Sequence, residues 1–350
     1  MTARRLDDWN PLPAELKLAE GVGTGLTVIL GDGTLPPDPP PEDRKIRAGF
    51  LRALILGQIP GCPLHEKGVQ LRGAYIVGDG PECAETRGLD LEGCNLRSDL
   101  ALIACRVPNK LVLRSTKLRN LFLNGSHLSA GLVADRLEAN GGVFLRSLGI
   151  PGSPEFHVFE AHGGVRLLGA TLQGNLECDG ARLSSAASGI ALHADRLTAS
   201  GSVFLRRLGI PRSQSFQPFA SDGEVRVPWS KLGGGLDCIG AHITAGEEGR
   251  ALTADGLVVR SSVYLNHLVA KGEVRLLGAN LAGDLYCTGG RLTAARNGVA
   301  LSADGIKAKG IVLRELKTQG FVRLPEATIG GSLDCEGSEL VAGQGNRVWL

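Results

Sequence analysis

The sequence predicts an all-β solenoid, a parallel β-helix with about 22–24 residues per coil and an α-helical cap at its N-terminal end. Three observations carry this. Gly164-Val165-Arg166-Leu167, Gly223-Glu224-Val225-Arg226-Val227, Gly272-Glu273-Val274-Arg275-Leu276 and Gly320-Phe321-Val322-Arg323-Leu324 each open a block that returns the same residues in the same order. Cys178, Cys238, Cys287 and Cys335 recur inside those blocks at separations of 60, 49 and 48 residues. Between Leu89 and Leu128 a shorter unit repeats every 10 or 11 residues: Leu89/Leu91/Cys94/Leu96, Leu100/Leu102/Cys105/Val107, Leu111/Leu113/Thr116/Leu118 and Leu121/Leu123/Ser126/Leu128. Two residues of alternation, a turn and two more of alternation describe a short strand that bends, with the named side chains inward; a helical period does not produce this. Two units are expected to make one coil and a long block two coils; a coil of three faces is the alternative, which would change the shape but not the solenoid. Repeats of this regularity stack neighbour on neighbour.

The composition agrees. Gly at 50 of 350 residues and aromatics at 4% suit narrow coils with small interior side chains. The 38 basic and 36 acidic residues leave a formal charge of +2, too little for bulk attraction to nucleic acid, and no nucleic-acid partner is expected. Acidic residues in Met1-Thr-Ala-Arg-Arg-Leu-Asp-Asp-Trp9 interrupt any export signal, and no apolar run of membrane-spanning length occurs, so the reading is a cytoplasmic chain without a membrane span. Equivalent cysteines two coils apart stand about 10 Å from one another, beyond disulfide reach, and read as small buried thiols.

Three regions follow. Residues 1–35 form an N-terminal segment without a clear element. Residues 36–60 hold a linker, Pro36-Pro-Asp-Pro-Pro-Pro41, and a helix from Glu42 to Gly57 with Ile46, Phe50, Leu51, Leu54 and Ile55 on one face. That helix is expected to cover the open end of the first coil, since exposed strand edges invite edge-to-edge association; a membrane-surface helix is the alternative. Residues 61–350 form the solenoid, roughly twelve coils and a rod near 60 Å at about 4.8 Å per coil. The C-terminal residues Gly345 to Leu350 stop where earlier blocks continue; either the chain is cut from a longer one or its raw end pairs with another copy, and both readings predict a sticky end.

Units such as Cys94-Asn95-Leu96-Arg97-Ser98 and Ala181-Arg182-Leu183-Ser184-Ser185 resemble pentapeptide repeats, and the longer Gly-Glu-Val-Arg-Leu-Leu-Gly-Ala block is similar to bacterial repeat proteins of largely unassigned function. The likeness covers about Gly68 to Leu350. It implies a right-handed quadrilateral β-helix, with relatives that act as interaction modules, DNA mimics or polymer formers; near-neutral charge argues against the mimic.

Candidate functional residues come from departures from the repeat and from its outward columns. Insertions near 148–163 and 208–222 fall at the same repeat position and carry Phe156, His157, Phe159, Phe216 and Phe219. Loops inserted on a rigid array tend to carry recognition, so these are the leading candidates for a partner site; the competing reading is that the phenylalanines fold back and seal their own loops. Arg166, Arg226, Arg275 and Arg323 form an outward ladder, either a track for a phosphate chain or acidic surface or a solvated face pairing with acids such as Glu224 and Glu273. Asp135, Asp195, Asp255 and Asp304 each follow Ala at a corner, where Asp accepts hydrogen bonds from turn N–H groups; calcium between coils is the alternative. One face is expected to run Phe144, Glu177, Phe204, Asp237, Tyr264, Tyr286 and Asp334, the ingredients of a carbohydrate groove with Glu177 and Asp237 as the acids that matter. Gly21-Val-Gly23-Thr-Gly25 lacks the spacing of a dinucleotide site, and the seven histidines show no ligand spacing. The expectation is therefore a non-enzymatic scaffold or protein–protein assembly module, without cofactor or metal, acting on a protein partner or by self-association through the C-terminal end; the alternative is a carbohydrate-binding or carbohydrate-acting β-helix.

Overall fold

A computed structural model describes residues 4–78, 88–150, 155–185, 188–209, 214–294 and 298–341. It is a parallel β-solenoid with four faces. Two faces are sheets of twelve strands and two are sheets of nine, and consecutive strands of each sheet come from consecutive turns of the chain. In chain order we call them the aromatic, histidine, arginine and fourth faces, after Phe144, His127, Arg166 and the column that begins at Lys117. At the 4.7–4.9 Å spacing of paired strands, twelve layers span about 53 Å. Residues 61–341 supply eleven strands of each twelve-stranded sheet, and the first layer comes from Val28–Ile29 and Lys45–Arg47 in the region read from sequence as N-terminal segment and capping helix; two faces are folded around each half-coil unit.

The unit works because its turn is a left-handed corner. Ala104 (φ 48°) and Ser115 (φ 52°) bend the chain after Leu100/Leu102 and Leu111/Leu113, and the small residue that follows each points inward. Arg136, Arg196, Trp229 and Glu326 hold the same positive φ at later corners, with glycines such as Gly256 and Gly278 between them. The inward side chains Leu100, Leu102, Cys105, Val107, Leu111, Leu113 and Thr116 are fully buried. Where the small position is a hydroxyl residue it bonds the adjacent layer: Ser126 Oγ donates to Leu102 O (2.7 Å) and accepts from Cys105 N (2.9 Å), and Thr116 Oγ1 donates to Leu91 O (2.7 Å). These bonds satisfy polar atoms that water cannot reach.

The repeat cysteines share a column with leucines. Glu177, Phe204 and Asp237 are in register, so Cys178, Leu205 and Cys238, one residue on, alternate along the axis. Cys178, Cys238 and Cys287 are completely buried, Cys335 partly so, and the seven cysteines among the described residues are free.

Layers differ in length because some corners are extended. Leu285 follows its partner Val263 by 22 residues, Val263 follows Leu236 by 27, and Leu236 follows Val203 by 33. The longest layers carry antiparallel hairpins between the aromatic and histidine faces, Leu148–Gly149 with Phe156–His157 and Leu208–Gly209 with Phe216–Gln217.

The N-terminal end is built from more than one helix. Glu42–Arg44 is a 3₁₀ turn and Lys45–Arg47 a strand that pairs with Tyr75–Val77 as the first layer of the histidine face, so the capping helix α2 starts at Ala48 and runs to Ile55. Phe50, Leu51, Leu54 and Ile55 are buried as its pattern demanded. Arg52 Nε donates to Asp90 O (2.9 Å), which places α2 over the layer that begins the arginine face. A helix α1, Pro13–Gly21, lies in the segment left without an element, and Val28–Ile29 adds the first strand of the aromatic face. Glu15 of α1 is wholly buried: Oε1 accepts from Arg47 N (2.9 Å) and Nε (2.9 Å), Oε2 from Leu12 N (2.9 Å) and Arg47 Nη2 (2.6 Å). The carboxylate thus occupies a donor on the outer edge of the first strand of the histidine face. The proline segment is tied down too, Arg106 Nε donating to Pro36 O (3.0 Å) and Tyr75 Oη to Asp38 Oδ1 (3.0 Å). Residues 345–350, which carry the expected raw end, lie outside the described residues.

Candidate functional site

Both hairpins leave the same corner two layers apart, so they stand side by side. Each rests on a glycine of the layer before it. A Cβ on Gly125 would lie 3.1 Å from His157 Cβ, and one on Gly180 would lie 3.0 Å from Leu208 Cβ and 3.2 Å from Ser147 Cβ, so only glycine admits the hairpin feet at these left-handed positions. Ser147 staples the first hairpin, donating to Gly180 O (2.7 Å) and accepting from Phe159 N (3.1 Å).

The phenylalanines divide into two kinds. Phe159 and Phe219 are completely buried and alternate along the axis with the buried Ala181 and Ala241, filling the corner that the hairpin opens. They seal their own loops and cannot meet a partner. Phe156 is half-buried, while Phe216 is 54% exposed with the Arg207 guanidinium 4.7 Å over its ring. His157 is half-buried, and burial pushes its pKa down, helped by the charge of Arg72. The tips, 151–154 and 210–213, lie outside the described residues. Of the five loop residues named from sequence, Phe156, His157 and Phe216 therefore form the accessible set.

The two outward ladders named from sequence meet each other. Arg166, Arg226, Arg275 and Arg323 alternate with His193, Thr253 and Ser302 down the arginine face. Each arginine pairs with the corner aspartate of the preceding layer: Arg166 with Asp135, Arg226 with Asp195 and Arg323 with Asp304 at 2.8 Å, and Arg275 with Asp255. Asp135 and Asp255 also accept from Leu168 N (3.3 Å) and Leu277 N (3.1 Å), the turn-binding role expected of a corner acid. Glu224 is a secondary partner, 3.6 Å from Arg226, and lies buried under Thr253. The guanidiniums are thus occupied by carboxylates, which leaves no unmatched row of charge for a phosphate chain. Burial works against the charge of Asp195, yet hydrogen bonds from His193 and Arg226 outweigh it and hold the carboxyl down to about 2.

The aromatic face runs in the register read from sequence: Phe122, Phe144, Glu177, Phe204, Asp237, Tyr264, Tyr286, Val312 and Asp334. Its rings stack on one another, Phe122 on Phe144 at 4.7 Å and Tyr264 on Tyr286 at 5.3 Å, so each gives a face to its neighbour. Phe204 gives a face to Arg206 (4.2 Å), which also binds Asp179 at 2.7 Å. Glu177 and Asp237 lie two layers apart, about 10 Å at Cα, with Phe204 between them. Arg146 holds Glu177 at 3.2 Å, and Asp237 is buried enough to have its pKa raised.

The histidine face gathers a group that sequence spacing missed: His127, Glu160 and His162 offer ligand atoms that all lie within 4.8 Å of one another. The first hairpin inserts its length between His127 and Glu160, which hides the proximity in the sequence; the register of the repeat was the signal that could have found it.

No protein-family model, no curated protein and no solved structure matches the chain. Among the described residues no helix is long and apolar enough to cross a membrane.

Proposed function

We propose that this chain is a rigid binding platform for a protein partner, with the paired hairpins as its contact. The observation that carries the reading is that two antiparallel hairpins leave one corner two layers apart, each footed by a buried phenylalanine, with Phe216 displayed under Arg207. A large aromatic beside a guanidinium on a fixed scaffold loses little entropy on binding and suits the centre of an interface. The solenoid supplies spacing and stiffness rather than chemistry, in keeping with the resemblance to pentapeptide-repeat interaction modules. The test is affinity capture with mass spectrometry: Phe156→Ala/Phe216→Ala loses the partner while thermal unfolding stays near wild type, and retained capture refutes the assignment. Self-association is a separate proposal; a light-scattering mass of one chain at all concentrations rejects it.

A further inference from the structure

We propose that His127, Glu160 and His162 bind a first-row divalent transition ion, with zinc as the natural probe. His127 and Glu160 are register partners on adjacent strands, and His162, two residues beyond Glu160, points to the same side. Two imidazoles and one carboxylate are the donor set of open zinc sites, in which water takes the remaining position, and they suit such ions better than calcium or magnesium.

The surrounding hydrogen bonds prepare two of the three ligands. His162 Nδ1 lies 2.9 Å from Ser184 Oγ on the next strand. An Nδ1–H donated to that oxygen leaves the Nε2 lone pair free, and Nε2 stands 3.8 Å from Glu160 Oε2. Arg182 holds the other carboxylate oxygen, Oε1, at 2.8 Å and so turns Oε2 toward the histidine. His127 is the ligand that must change. Arg106 Nη1 donates to its Nδ1 at 2.8 Å, so the proton sits on Nε2, an atom that is buried and has no hydrogen-bond partner. Coordination uses that unpartnered position: Nε2 gives its lone pair to the ion, the ring proton moves to Nδ1, and Arg106 Nη1 turns away from it while Nε keeps Pro36 O (3.0 Å).

Repetition does not account for the group. The corresponding positions of later layers hold Ala220 and Asp222, His242 and Thr244, Val269 and Lys271, and Arg291 and Thr293. The site also lies at the foot of the first hairpin, since Glu160 directly follows the buried Phe159. An ion there would tie that foot to the neighbouring layers.

The experiment is calorimetric titration of the tag-free full chain with zinc chloride, paired with the visible spectrum of the cobalt(II) form. The expected result is one saturable site whose cobalt spectrum shows nitrogen and oxygen ligation without thiolate charge transfer. Ser184→Ala weakens binding about 10–100-fold, as loss of an outer partner does, and His162→Ala and Glu160→Gln weaken it further. Arg106→Gln tightens binding, because it frees Nδ1 for the proton and removes a nearby positive charge. Circular dichroism melts of Ser184→Ala, His162→Ala and Glu160→Gln without metal stay near the wild-type temperature, and zinc raises the melting temperature of wild type alone among wild type, His162→Ala and Glu160→Gln. Absence of saturable binding, binding unaltered by His162→Ala and Glu160→Gln, a thiolate spectrum, or weaker binding in Arg106→Gln overturns the proposal.

Discussion

Replacing Phe219 by Ala tests whether the hairpin feet are part of the core. Its ring is wholly buried in a column where Phe159, Ala181, Phe219 and Ala241 alternate large and small. Transfer of a phenylalanine side chain from water contributes about 1.5–3 kcal/mol. Truncation also leaves a void that Ala181 and Ala241, already the smallest apolar side chains, cannot fill, which places the cost near the upper part of the about 3–5 kcal/mol range for Phe→Ala. Phe216 has 54% of its surface in water, with Arg207 over its ring and only glycine, Gly209, opposite it on the hairpin, so Phe216→Ala costs about 0.5–1 kcal/mol. Urea unfolding followed by far-ultraviolet circular dichroism separates the two: Phe219→Ala shifts the midpoint strongly and Phe216→Ala hardly at all. Equal effects, or a loss below about 1 kcal/mol for Phe219→Ala, would refute the division of the phenylalanines into sealing and contact residues.

Other outcomes follow from the same geometry. Glu15→Ala removes a buried carboxylate that accepts four hydrogen bonds, while Arg47 keeps Trp9 O and Asn10 O, and costs about 2–3 kcal/mol; hydrogen exchange should rise in Val28–Ile29 and Lys45–Arg47, and an unchanged pattern would contradict the edge-sealing role. Because the Asp195 pKa is depressed in the folded state to about 2, its contribution is present above the unfolded value of about 4 and lost as pH falls from there through 2. Asp195→Asn should therefore flatten that part of the acid limb in pH-dependent melting. Burial raises the Cys105 and Cys287 thiols to about 12 and the Cys178 and Cys238 thiols well above the usual value. Iodoacetamide at pH 8 should label the partly exposed Cys94 while sparing those four until urea unfolds the layers, as read by mass spectrometry.

Much of the fold was legible because a β-layer imposes two short rules, side chains alternating along the strand and the same position returning each turn. These rules place Phe144, Glu177, Phe204, Asp237, Tyr264 and Tyr286 in one column and Cys178, Cys238 and Cys287 in the interior. Partners one layer apart were harder to read. Asp135 and Arg166 lie 31 residues apart, and neither repeat period brings them together unless the two corners are already assigned to adjacent layers. Glu224 and Glu273 are nearer in sequence to the arginines, but both are buried, and Glu224 accepts from Thr253 and meets Arg226 only at 3.6 Å. The helix α1 was invisible because Leu16 faces solvent and an acidic residue, Glu15, occupies an interior position, so its apolar periodicity is broken. Phe159 and Phe219 read as loop residues because the insertion hides where the strand register resumes. It resumes at Glu160 and Ala220, which makes the preceding phenylalanine an inward residue.

The stacked-layer architecture itself is tested most directly by distances along one column. Glu138, Thr171, Thr198, Lys231, Val258, Asn280 and Lys307 follow one another in register on the fourth face. Spin labels at Glu138→Cys and Lys307→Cys, with Cys94 and Cys335 replaced by Ser, should give a narrow electron–electron distance near 29 Å, six layers at the interstrand spacing, and moving the second label to Val258→Cys should shorten it to about 19 Å. Distances that fail to scale with layer number would contradict the solenoid and every site built on it.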